Sequence, residues 1–154
     1  MDVNISDHIS YKEATATGTG IENDPGAVEL FAMQSVAKMV FEPLRKWVGG
    51  PIAITSFYRS LRVNAKVGGS RTSQHVKGEA MDLDMDPIKN ATKSNADIFC
   101  YIRDHLPFDQ LIWEFGTSTN PAWVHVSYTD RHKNRRMILR VKRTAKGVTY
   151  SRMN

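Results

Sequence analysis

Cysteine is almost absent from this chain, and that scarcity removes several kinds of chemistry at once. Cys100, the single example, cannot close an internal disulfide, and it excludes every zinc site that needs two or more thiolates. Any zinc must therefore be held by nitrogen and oxygen. Cys100 sits in the apolar run I-F-C-Y-I, the setting of a small buried hydrophobe rather than of an activated nucleophile, so cysteine-protease chemistry is set aside. Long apolar stretches are missing too. None approaches the ~18 residues needed to cross a bilayer, and M-D-V-N-I-S-D-H has neither the basic nor the apolar region of a secretory signal. The expectation is a protein made in the cytoplasm without membrane insertion; a substrate outside the membrane would then require separate release.

Acidic residues are missing from one end only. From Arg131 onward there are nine Lys or Arg and no Asp or Glu, which leaves 12 basic against 16 acidic residues in the rest of the chain. The net charge of +5 is thus a property of a basic C-terminal extension, residues 131–154, and not of the body. Such a segment suits nucleic acid, the anionic polymers of a bacterial wall, or a solvated face with no partner. Apart from Tyr150 no aromatic is interleaved with these cations, and no finger or recognition-helix motif accompanies them. Both points argue against nucleic acid.

What is present suffices for one hydrophobic core. A length of 154 residues, 41% hydrophobic and 24% charged, predicts a single ordinary globular domain over residues 1–154, taken as a monomer. Residues 1–24 read as an irregular lead-in. Val28, Leu30, Phe31, Val36, Met39, Val40, Leu44 and Trp47 recur at helical spacing between Ala27 and Val48, with Pro43 as a kink and Gly49-Gly50 as the stop. P-I-A-I-T-S reads as a strand, V-G-G-S-R-T-S-Q-H-V-K-G as a loop, and E-A-M-D-L-D-M as an alternating strand with Met81, Leu83 and Met85 facing the core. A helix from Thr92 to His105, strands in F-D-Q-L-I-W-E-F and P-A-W-V-H-V-S-Y, and a last hairpin, M-I-L-R-V-K-R with G-V-T-Y, complete the order. Mixed helices and strands without a βαβ rhythm predict an α+β fold: a small antiparallel sheet flanked by helices.

Two constellations carry chemistry. In S-Q-H-V-K-G-E-A-M-D, a turn at Gly78 can bring His75 and Asp82 to one point. In W-V-H-V-S, Trp123, His125 and Ser127 share one strand face. Two imidazoles and one carboxylate leave a fourth position for water, the pattern of catalytic rather than structural zinc, which lowers the pKa of such a water to about 7. Taken singly, each residue is more often structural: a hydrogen-bonded strand histidine, or a paired or exposed aspartate.

The stretch S-F-Y-R-S, the following N-A-K-V-G-G-S-R-T-S-Q-H-V-K-G-E-A-M-D and the later W-V-H-V-S resemble the zinc D-alanyl-D-alanine peptidases of the M15 family, most closely its branch of phage lysins and bacterial carboxypeptidases. The likeness covers roughly residues 8 to 130. Ser73, His75, Gly78, Ala80 and Asp82 meet every fixed position of the family pattern S-x-H-x-x-G-x-A-x-D. The resemblance implies a Hedgehog/DD-peptidase-like fold and one Zn2+ ion held by His75, Asp82 and His125. The implied substrate is a peptidoglycan stem peptide, cut as a D,D-carboxypeptidase or an endopeptidase. A phage-encoded or virion-associated enzyme would reach the wall after release.

The resemblance also implies an acidic general base. Its usual place in several members, three residues before the last histidine, holds Ala122 here. Glu114 is the best replacement, because related Hedgehog-type domains take this acid from farther upstream; a water-exposed strand-end carboxylate is the competing reading. Asp109 and Asp84 are weaker candidates. Arg59 corresponds to the arginine that binds substrate and stabilises charge near the scissile carbonyl, a task suited to a guanidinium fork, against the alternative of a surface ion pair. Ser73 either binds substrate or holds His75, and Trp123 and Tyr58 either line the cleft or pack. The departure at Ala122 keeps open a second class, a zinc-binding module of this fold without activity.

Overall fold

Capping residues set most of the helix boundaries. A computed structural model of the chain describes residues 4–153; the outermost residues of the lead-in and of the basic extension, 1–3 and 154, lie outside the described residues. Within the lead-in the chain forms a short helix, α1 (Tyr11–Thr15). It starts because the Ser10 side chain accepts a hydrogen bond from the Glu13 N–H, and Ala14 buries fully beneath it. The expected long helix is present as α2 (Ala27–Val36), one π-helical turn (Ala37–Phe41) and α3 (Glu42–Val48), ended by Gly49 at φ +76. Pro43 has no N–H to give, and the wider turn just before it is where the hydrogen-bond ladder changes register. The buried stripe consequently runs through Met33, Val36, Ala37, Val40, Phe41 and Leu44, while Val28 and Phe31, expected inside, are exposed.

β1 (Ala53–Ser56) leads to α4 (Leu61–Lys66), capped by Ser60, and then to a 3-10 turn (Gln74–Lys77) in the expected loop. β2 (Ala80–Asp84) is followed by α5 (Asn95–His105). Ser94 and Asp97 form a reciprocal capping box there and delay the start to three residues after Thr92. β3 (Gln110–Glu114), β4 (Trp123–Ser127), β5 (Met137–Thr144) and β6 (Gly147–Arg152) follow.

The strands make one sheet in the order β1-β2-β4-β3-β5-β6. The fold is the expected single α+β domain, with one difference: the sheet is mixed, because β3 and β5 pair in parallel while the other neighbours are antiparallel. The chain leaves β4 near the start of β3 and passes around that end to enter β5 on the other side. Two ion pairs secure the crossing. Arg131 binds the buried carboxylate of Glu79 and Arg135 that of Asp109, so these members of the basic extension serve the fold.

Alternation sorts the two faces. Met81, Leu83, Val124, Val126, Leu111 and Trp113 point into the core, where Ile98, Phe99 and Ile102 of α5 cover them; the Phe99 and Trp113 rings meet edge to face. Cys100 packs at the rim of this core, as a hydrophobe should. The opposite face carries Asp82, His125, Trp123 and Glu114. Among the described residues no helix is long and apolar enough to cross a membrane.

Candidate metal centre and cleft

The centre follows from strand register. Asp82 of β2 pairs directly with His125 of β4, which in turn pairs with Ile112 of β3, while Glu114 pairs with Trp123. Two-residue periodicity therefore puts Asp82, His125, Trp123 and Glu114 on one face, with Glu114 diagonal to His125 at about 7–8 Å along the backbone. His75 arrives from the 3-10 turn, which Gly78 reverses at φ +73.

Gly78 is required there for two reasons: the left-handed conformation and a close approach, since a Cβ would come within 2.6 Å of the Glu29 carbonyl oxygen. Gly78→Ala is expected to cost about 2–4 kcal/mol and to weaken metal binding, because it displaces the segment that joins His75 to Asp82. Gly68 also has positive φ but nothing near a Cβ, so Gly68→Ala should cost only about 1–2 kcal/mol. Urea midpoints of the two variants check the difference.

His75, Asp82 and His125 are 2%, 7% and 9% exposed, and one ligand atom from each lies within 4.8 Å of the others. Oδ1 of Asp82 is 3.3 Å from Nε2 of His75 and 3.1 Å from Nδ1 of His125. Nδ1–H of His75 donates to the Phe57 carbonyl at 2.8 Å, which fixes the tautomer and leaves the Nε2 lone pair aimed at the cluster. A metal-ligating histidine is usually held this way, and two neutral imidazole nitrogens with a carboxylate oxygen suit zinc. The residues fit the ion. Burial disfavours the charge on Asp82, yet the two imidazoles more than offset it and hold the carboxyl well below the usual carboxylate range.

Arg59 takes the outer oxygen, Oδ2 of Asp82, through Nη2 at 3.3 Å. Its Nε donates to Ser56 Oγ at 3.0 Å and its Nη1 to Asn64 Oδ1 at 3.4 Å, while its backbone N–H donates to the His75 carbonyl. Arg59 thus positions both Asp82 and the His75 turn besides facing the cleft. Ser73 accepts from the His75 N–H at 3.3 Å, a positioning role.

The cleft beside the cluster has a volume of about 610 Å³, with Tyr58, Arg59, Asp82 and Trp123 in its wall. The Thr17-Gly18-Thr19 loop forms another part of that wall, which the sequence reading did not anticipate. Asn23 was missed as well. It is buried, donates to the carbonyls of Thr15 and Tyr58 and accepts from the Ser60 N–H, clamping the lead-in against the F-Y-R-S segment. Their only signal was polarity in a lead-in rich in threonine and glycine.

Of the candidate acids, Asp109 is buried and held by Arg135 and Gln74, and Asp84 accepts from Asn95. Glu114 is different. Burial pushes its carboxyl up to about 7, with Asp82 adding to the rise and His125 and Arg59 opposing it. A divalent cation at the cluster would lower it. In metal-free protein the folded state keeps this proton up to about pH 7, whereas an unfolded chain releases it near 4.5. The residue's contribution to stability is therefore lost as pH rises through that window. Metal-free Glu114→Gln should be up to about 3 kcal/mol more stable than wild type at pH 8 and no more stable at pH 4. Urea unfolding in chelator at the two pH values checks it.

The sequence pattern of a family described as Peptidase M15 matches residues 7–127. No curated protein matches the chain.

Proposed function

The chain belongs to the Peptidase M15 family, and from that premise we propose that it hydrolyses a peptide bond in the stem peptides of bacterial peptidoglycan, as a D,D-carboxypeptidase or endopeptidase. The observation that carries the reading is the buried His75, Asp82 and His125 cluster, with Asp82 in the wall of a cleft and a carboxyl titrating near neutrality within electrostatic reach. One Zn2+ ion held by these three side chains would supply Lewis acidity toward a carbonyl and toward water.

The remaining work falls to the chain's own residues. Glu114 accepts a proton from the attacking water and returns it to the departing amine nitrogen, a task for which a carboxyl poised near the working pH is suited. Arg59 has Nε engaged by Ser56 and Nη2 facing the Asp82 carboxylate at 3.3 Å, whereas Nη1 meets only the neutral Asn64 amide oxygen, at 3.4 Å. That nitrogen is the one a substrate carboxylate or developing oxyanion can capture. Trp123 and Tyr58 supply flat apolar walls that exclude water beside the scissile bond. Release to the wall from a phage or virion is consistent with this chemistry.

Zinc-loaded protein incubated with purified peptidoglycan is expected to give new amine termini and shortened stem peptides by mass spectrometry. A protein that holds one zinc yet leaves every stem peptide intact would instead be the inactive binding module, the reading that Ala122 favours.

A further inference from the structure

β5 is longer than the strand it flanks. β3 ends at Glu114, whose parallel partner is Val141, but β5 continues through Lys142 and Arg143 to Thr144. The overhang runs past the Phe115-Gly116 turn, and β6 pairs with it throughout. Between them opens a groove of about 570 Å³ lined by Phe115, Gly116, Trp123, Arg140, Lys142 and Arg143.

The charge of this groove has one sign. Arg131 and Arg135 are neutralised by Glu79 and Asp109. Among the described residues Arg140, Lys142 and Arg143 have no carboxylate partner; Arg143 lies over the Phe115 ring at 5.1 Å. Arg140 goes further, because its Nε is buried without any hydrogen-bond acceptor. A buried donor left without an acceptor is costly, so the Arg140 guanidinium gains by turning toward an anion held in the groove. The groove adjoins the cleft at the metal cluster, since Trp123 lines both and stands between them. An extended peptide reacting at the cluster therefore reaches the groove within a few residues.

We propose that the groove formed by the β5 overhang, Phe115 and Trp123 is a subsite for a carboxylate carried by the peptide substrate, on the far side of Trp123 from the scissile bond. The place of the scissile bond rests on the peptidase reading; the recognition of a carboxylate does not. The C-terminal hairpin then acts as a specificity element, selecting acidic peptides over neutral ones.

The test uses the zinc-loaded protein and capped alanine pentapeptides, in L and D series, with one Glu at each position in turn and a Gln twin for each. Titration calorimetry at low salt is expected to show at least one position where the Glu peptide binds about ten-fold tighter than its twin, the worth of one charge-assisted hydrogen bond. In an R140Q/K142Q/R143Q variant the ratio should fall below about two-fold, with zinc content and thermal midpoint unchanged. Equal binding of the twins at every position, or a preference that survives in the variant, overturns the subsite. Mass spectrometry of the same mixtures separates the two ideas. Hydrolysis without a Glu preference sinks the subsite alone, whereas a Glu preference without hydrolysis of these peptides or of peptidoglycan sinks the peptidase reading and leaves the anion site standing.

Discussion

Replacing Glu114 with Gln should lower kcat/KM by about 10²–10⁴-fold while zinc content stays at one ion per chain. The amide keeps the shape of the carboxylate and part of its hydrogen bonding but accepts no proton, so the loss is confined to proton transfer. Glu114 stands diagonal to His125 in the strand register, feels His125, Asp82 and Arg59 electrostatically, and is the only one of the three candidate acids not held in a hydrogen bond or ion pair. Asp109→Asn makes the contrast. It weakens the pair between buried Asp109 and the half-exposed Arg135 and should cost stability, about 1–3 kcal/mol, with little direct effect on turnover in the molecules that stay folded. The pH profile adds a second readout. In wild type the acid limb of kcat/KM should lie below 7, because a bound cation pulls the Glu114 carboxyl down from its metal-free position. In Glu114→Gln that limb should vanish. A variant that retained zinc and more than about a third of wild-type turnover would show that the proton travels by another group.

The two halves of the centre were legible because each is local, and it was the resemblance to M15 peptidases that joined them. His75, Gly78 and Asp82 lie within one short turn and strand, and W-V-H-V-S displays its alternation openly. What was not legible depends on partners distant in the chain. Asn23 bridges the lead-in to Tyr58 and Ser60, and Asn64 reaches both Arg59 and the Ser70 carbonyl. An asparagine in a polar stretch gives no hint of such a bond. The parallel pairing of β5 was hidden for a similar reason: alternation in M-I-L-R-V-K-R reports a strand but not its neighbour or direction. The basic extension was misleading as a sum, since Arg131 and Arg135 are consumed by buried carboxylates while Arg140, Lys142 and Arg143 are not. Charge counted along the chain cannot separate those two populations; only folding brings Glu79 and Asp109 to the first.

Loss of either histidine should abolish zinc binding and reduce hydrolysis to background, but the two variants should differ in the stability of the metal-free chain. Nδ1–H of His75 satisfies the Phe57 carbonyl in the interior, so His75→Ala leaves that acceptor unpaired and should cost about 1–3 kcal/mol even in chelator. His125 meets Asp82 but no such backbone group, and His125→Ala should cost less in the absence of metal. With zinc present at about a thousand times its dissociation constant, wild type should gain about 4 kcal/mol and a higher thermal midpoint, an increment absent from both variants. Zinc measured by atomic emission after gel filtration, with melting curves in zinc and in chelator, separates the ligand role from the structural one. A His125→Ala protein that keeps a full equivalent of zinc would remove that residue from the metal centre, and with it the geometry in which Glu114, two residues along the neighbouring strand, reaches the reacting water.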